Sequence, residues 1–191
     1  MKTIETTLVT NALFSDDEKK RYLLKKTWDD SKPKLMIIML APSEASGIEL
    51  DNTTLLVLNN SSRLGYGSVC IVNLFATLND YSLSCAEKDD EENLKVITDE
   101  AKKADVIVYA PGVGKAKNQS FQSRSEKVIK ELKPYQKKLK CITNKDNSVR
   151  LVHPLTPSVR TWELSDVKIS EIIEKTIPMS QMQTKKDSLP E

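Results

Sequence analysis

Apolar residues fall in short runs, separated by polar segments with helical spacing. Lys34–Leu40 (KLMIIML) is apolar after its first residue, the pattern of a strand buried on both faces. Val69–Leu74 (VCIVNL) and Asp105–Ala110 (DVIVYA) read the same way. Leu139–Thr143 (LKCIT) is a weaker fourth, with Val149–Val152 placed to pair with it across the polar turn Asn144–Ser148. Between these runs lie helices. Asp51 caps one whose apolar positions are Leu55, Leu56 and Leu58, ending at Gly65 or Gly67. Glu91–Lys103 starts acidic and ends basic, which suits the helix dipole. Phe121, Val128, Ile129 and Leu132 mark a third helix, stopped before Pro134. Val167, Ile169, Ile172 and Ile173 mark a fourth, closed by Pro178.

Strands alternating with helices predict an α/β fold: a three-layer α/β/α sandwich around a mainly parallel sheet of about four strands, joined by right-handed crossovers. Residues 1–178 are expected to form one domain. Residues 1–30 are expected as an edge hairpin or helix, with Tyr22, Leu23 and Trp28 packing onto the body. The segment 179–191 (MSQMQTKKDSLPE) has little to bury and reads as a disordered tail.

Composition narrows the chemistry. The chain has 191 residues, 39% of them hydrophobic, enough for a core but with no run approaching the roughly 18–20 apolar residues of a membrane helix. No apolar block marks the first residues as a signal peptide. A cytoplasmic protein without membrane contact is expected. Cys70, Cys85 and Cys141 are widely spaced and His153 is the only histidine, which excludes a four-cysteine zinc or iron–sulfur site and a two-histidine metal helix. No cofactor and no metal are expected. The net charge of +2 conceals an asymmetry: Val113–Lys140 carries nine basic residues against two acids, and Asn79–Asp105 nine acids against four lysines. A one-sided basic stretch suits a phosphate-binding surface, and equally a solvated helix face.

In an open parallel sheet, ligands bind outside the carboxyl ends of the strands. Four segments follow the predicted strands: Ala41-Pro42-Ser43-Glu44-Ala45-Ser46-Gly47, Asn73-Leu74-Phe75-Ala76, Pro111-Gly112-Val113-Gly114-Lys115 and His153-Pro154-Leu155. Asn73 reads either as a ligand group or as a core residue satisfied by backbone, His153 either as a site residue or as a surface histidine before a turn proline. Gly112-Val113-Gly114-Lys115 lacks the GxxxxGK[ST] frame of a P-loop. Ser43, Ser46 or Cys141 with His153 could make a nucleophile–base pair, but there is no G-x-S-x-G elbow.

These loops resemble two known groups. Arg21-Tyr22, Trp28-Asp29, Ala41-Pro42-Ser43, Gly65-Tyr66-Gly67, Asn73-Leu74-Phe75-Ala76 and His153-Pro154-Leu155 occur in the order seen in a bacterial family catalogued without a function. The same pattern resembles the uracil-DNA glycosylase superfamily. Met39-Leu40-Ala41-Pro42 is similar to its first motif, Val69–Asn73 to the strand ending in a uracil-reading asparagine, Val106–Lys115 to a later strand and loop, and His153–Ser158 to its histidine-containing minor-groove loop. The chain departs from that pattern in having Met39 for a glycine, Ala41 where several families place a water-activating Asp or Asn, and Pro111 for a tryptophan. Phe75, Tyr66 and Tyr81 all compete as the stacking aromatic.

The resemblance implies hydrolysis of the N-glycosidic bond of uracil in DNA after base flipping; the alternative is a non-catalytic nucleic-acid or nucleobase-binding protein on the same fold. It implies His153 as donor to the departing base, its neutral form favoured by surrounding cationic charge, and backbone N–H groups of the first loop beside it. Asn73 would read the Watson–Crick edge, with Ala41, Pro42, Ser43 and Phe75 around the base. Leu155, after Pro154, would be the wedge, and Lys115, Lys117 and Arg160 the phosphate contacts. Asp51, or else Glu44, would replace the missing water-activating group, Asp51 being equally suited to a helix cap. The implied partners are uracil-containing DNA, single- or double-stranded, and proteinaceous glycosylase inhibitors.

Overall fold

The computed structural model describes residues 1–43, 48–80, 83 and 90–177. Its sheet has seven strands: β1 (Val9–Phe14), β2 (Arg21–Thr27), β3 (Lys34–Met39), β4 (Ser68–Asn73), β5 (Val106–Tyr109), β6 (Leu139–Thr143) and β7 (Glu163–Asp166). Their spatial order is β1-β2-β4-β3-β5-β6-β7. The α/β class is as expected, but the sheet is larger than four strands and only partly parallel. β4, β3, β5 and β6 form the parallel centre. Antiparallel strands extend it on both sides, β2 and β1 at one end and β7 at the other.

Side-chain alternation builds two cores. Met36, Ile38, Cys70 and Val72 face one way, against α2 (Glu91–Lys103), α3 (Gln119–Leu132) and α4 (Ile169–Thr176). Leu35, Ile37, Met39, Val69 and Ile71 face the other, where Val57 of α1 (Asn52–Arg63), Val159 and Trp162 cover them. Helices therefore lie on both faces, and the central strands are apolar throughout because neither of their faces meets water.

The helix caps follow the sequence closely. Asp51 accepts a hydrogen bond from the Thr54 N–H at 2.6 Å, Asp90 from Asn93 at 2.9 Å and Asn118 from Phe121 at 3.0 Å. Leu64 caps the C-terminal end of α1 and is followed by Gly65 at φ +86°, the left-handed residue that commonly closes a helix.

Other expectations need correction. The buried face of α1 carries Thr54, Val57, Asn60 and Ser61, while Leu55 is exposed. This face is polar because it grips another loop: the Asn60 amide donates to the Arg160 carbonyl at 3.0 Å and accepts from the Trp162 N–H at 2.9 Å, and Arg63 donates to the Trp162 carbonyl. Val149–Val152 does not pair with β6; Leu151 turns at φ +56° into the first core, and β7 takes the place beside β6. Residues 1–30 hold the β1–β2 hairpin, with Tyr22 buried and Leu23 and Trp28 packed against the two cores. Ser46, Tyr81, Cys85, Pro178 and the segment 179–191 lie outside the described residues. No helix among the described residues is long and apolar enough to cross a membrane.

Gly67 sits where β4 begins against the turn after β2. Its carbonyl accepts from the Trp28 and Asp29 N–H groups, and a Cβ there would lie 1.8 Å from the Asp29 carbonyl oxygen and 2.7 Å from the Lys32 Cβ. A Gly67→Ala substitution must displace backbone, and overpacking of this kind costs about 1–3 kcal/mol. The expected outcome is a lower urea midpoint with an unchanged slope.

Candidate functional site

Because β4, β3, β5 and β6 run parallel, the chain leaves all four at one edge of the sheet. A cavity of about 220 Å³ opens there, below the about 300–1,000 Å³ typical of sites for drug-sized ligands. The end of β3 and the loop after it contribute Met39, Leu40, Ala41 and Ser43 to its wall. The start of α1 adds Asp51 and Thr53, and the loop beyond β6 adds His153 and Leu155. Residues more than a hundred positions apart thus share one hollow. A larger depression, about 720 Å³, lies beside Gln136, Arg150 and the start of α4; none of the expected site residues lines it.

His153 is half-buried in a tight turn. Its Nδ1 accepts the Leu155 N–H at 3.2 Å and its carbonyl accepts the Thr156 N–H at 2.9 Å. An Nδ1 that accepts leaves the proton of the neutral ring on Nε2, so Nε2–H is a donor. Burial pushes the imidazole below its ordinary pKa, and the Asp51 carboxylate pulls the other way. The neutral form is therefore favoured by desolvation, not by the surrounding cationic charge expected from the sequence. Gly112, at φ +76°, passes close beneath: a Cβ there would stand 3.3 Å from that of His153. The loop after β5 is thus packed directly against the imidazole-bearing turn.

Asp51 both caps α1 and lines the cavity. Burial by itself would raise its pKa; the Ser43 hydroxyl, the Thr54 N–H and hydroxyl, and the charge of Arg21 outweigh that and hold it below the usual carboxylate value. At neutral pH the site pairs a neutral donor with a negative charge.

Asn73 ends β4 in register with Met39. Strand alternation puts it on the face of Val69 and Ile71, the α1 side of the sheet. It is 1% exposed, and neither its amide nitrogen nor its amide oxygen has a hydrogen-bond partner among the described residues. It is therefore not a core residue satisfied by backbone, nor is its side chain part of the cavity wall. The turn that carries it is clamped from behind. Asn93 of α2 donates to the carbonyls of Asn73 and Leu74, both at 3.1 Å, and Arg124 of α3 donates from Nε to that of Leu74 at 2.7 Å. Both side chains are fully buried. Sequence reasoning missed these two, since a polar residue on a helix gives no sign that it points inward.

Of the remaining expected residues, Pro42 and Pro154 are buried and shape their turns. Phe75 packs into the core on the α2–α3 face, away from the cavity wall. Leu155 is 44% exposed at the cavity, and Arg160 is exposed. Lys115 is half-buried, and its carbonyl accepts the Asn118 N–H at 2.8 Å. Glu44 lies outside the described residues. The basic stretch is partly consumed by the fold: Arg124 is buried, Lys138 donates to the carbonyl of Ala104 at 2.7 Å beyond the end of α2, and Lys140 pairs with Asp166 at 2.7 Å. The described residues contain no cluster of three or more His, Cys, Asp or Glu side chains able to hold a metal.

A family model described as "Protein of unknown function (DUF1643)" matches residues 21–155, and the chain belongs to that family. Comparison with curated proteins and with solved structures returns no match. The family's span begins at Arg21 and closes on Leu155, enclosing every residue of the cavity wall.

His153 is the only histidine, so its imidazole resonances report this site alone. Their titration midpoint is expected below the ordinary value of about 6.5, and lower still in Asp51→Asn, which keeps a helix cap but removes the negative charge. A group depressed by burial is stabilising above its unfolded pKa. Its contribution is lost as pH falls from about 6.5 through the folded value.

Proposed function

We propose that this protein hydrolyses the N-glycosidic bond of uracil in DNA, with the flipped base entering the cavity at the carboxyl edge of the parallel strands. The observation that carries the reading is the pairing of a neutral, Nε2-protonated His153 with an ionised Asp51 on one cavity wall. The resemblance of the surrounding motifs to uracil-DNA glycosylases supports it.

Breaking the bond between N1 of uracil and C1′ of the sugar leaves an electron pair on the base, largely at O2, and positive charge on the sugar. His153 Nε2–H stabilises the base anion; a preorganised donor of this kind is typically worth about 2.7–4 kcal/mol. Asp51 stabilises the sugar cation and orients the water whose oxygen bonds to C1′, and the released proton ends on the base. The Asn73 amide, buried at the end of β4 and outside the cavity wall, offers a donor for O4 and an acceptor for N3–H once the residues covering it give way to the base, an arrangement that mispairs with cytosine. With both its polar atoms unmatched, it gains bonds when the base arrives. Leu155 fills the vacated stack, and Arg160 and Lys115 meet phosphates.

A second reading, a non-catalytic nucleobase-binding protein on the same scaffold, draws on Ala41, which cannot activate water, and on Phe75, whose burial withdraws it as a stacking platform.

The test uses purified protein with labelled oligonucleotides carrying one uracil, single-stranded or opposite G or A, followed by alkaline cleavage at abasic sites. Cleavage is expected, with His153→Gln and Asn73→Ala each slower by about 10²–10³-fold, the kinetic equivalent of one lost donor. Salt-sensitive binding without base release would favour the second reading, and neither binding nor release would overturn both.

A further inference from the structure

We propose that Arg21 is a positioning residue of this site. From β2, its guanidinium holds the Ser43 carbonyl just beyond β3, and so keeps Ser43 beside the Asp51 carboxylate in the cavity wall.

The geometry runs from the sheet outward. Arg21 opens β2, its N–H bonded to the Ala76 carbonyl at 2.9 Å, and its side chain is 2% exposed. A guanidinium taken this far from water needs hydrogen-bonded partners or a compensating charge. One contact is the Ser43 carbonyl, which accepts from Nη1 at 3.1 Å across 22 positions of sequence. Ser43 in turn shares the cavity wall with Asp51, and its hydroxyl favours the ionised form of that carboxylate. The charge of Arg21 also reaches Asp51 directly and favours its ionised form. Among the described residues, the titratable groups bearing on this carboxylate are Arg21 from β2, which is charged, and His153 from the loop beyond β6, which burial keeps neutral, with Lys26 of β2 coupled to Arg21.

An ordinary structural arginine would tie two segments together and leave the carboxylate's protonation unchanged. Here the tie ends on a residue that shares the cavity wall with the carboxylate and favours its ionised form. The consequence is electrostatic: with the clamp gone, Ser43 loses its fixed orientation, Asp51 loses a nearby positive charge, and burial is opposed by the Thr54 contacts with less help than before. Its pKa then rises.

The proposal deepens the glycosylase reading, but its decisive test needs no substrate. Carbon-detected NMR of the Asp51 carboxyl in the full chain should show its midpoint rising by about one pH unit or more in Arg21→Met and in Ser43→Ala, with Arg21→Lys between wild type and Arg21→Met. If the protein releases uracil, kcat should fall about tenfold in Arg21→Met with KM little changed, and the acid limb of the pH profile should move with the NMR midpoint. A folded Arg21→Met chain whose Asp51 titrates as in wild type overturns the proposal. Should that chain fail to fold, Ser43→Ala decides: an unmoved midpoint there also overturns it. Absence of uracil release with the shift intact would sink the glycosylase reading and leave this one standing.

Discussion

A strand buried on both faces commits its side chains to packing, so the chemistry of such a sheet passes to the residues just beyond it. In this protein four neighbouring strands run in one direction, and their loops leave at one edge. Asn73 is the exception that makes the point: it is the last residue of a strand otherwise packed into the two cores, and its amide has no partner among the described residues. An unmatched buried amide is unfavourable in the resting protein. It becomes useful only if a ligand supplies the complement.

The same edge is held less by apolar contact than by long polar side chains reaching across the fold. A loop carbonyl withdrawn from water must find a donor. Arg21 serves Ser43, Asn93 serves Asn73 and Leu74, Arg124 serves Leu74, and Asn60 serves Arg160. Each comes from a different element from the loop it holds. Desolvating an arginine is expensive, several kcal/mol before its bonds are counted, and the return is a loop with few alternative conformations. Preorganised dipoles and charges are what a site needs if it is to stabilise charge without rearranging. The basic character of the stretch from Val113 to Lys140 has the same use at Arg124 and Lys138, which donate to carbonyls of other segments.

Much of the scaffold was legible along the chain. Continuous apolar runs marked the central strands, and Asp51, with acids before and lysines at the end of Glu91–Lys103, marked helix boundaries, because capping and dipole effects are local. An edge hairpin was one of two readings of residues 1–30, and β1 and β2 form it; β7 and the polar face of α1 were not legible. β7 (ELSD) has no apolar periodicity and is a strand because β6 lies open beside it. Asn60 is buried because the distant segment around Arg160 and Trp162 brings the matching groups, while Ser61 is buried with its hydroxyl bonded to the Val57 carbonyl of its own helix.

The sequence by itself determined the layered α/β scaffold, the direction of its central strands and the short set of loops able to carry chemistry, since all of these follow from patterns a few residues long. Tertiary structure alone decided which of those loops meet. It set His153 against Gly112 and in the same wall as Asp51, turned Phe75 into the core, and left the Asn73 amide unmatched. Burial, tautomer and charge state depend on neighbours that chain folding supplies, and no local pattern encodes them.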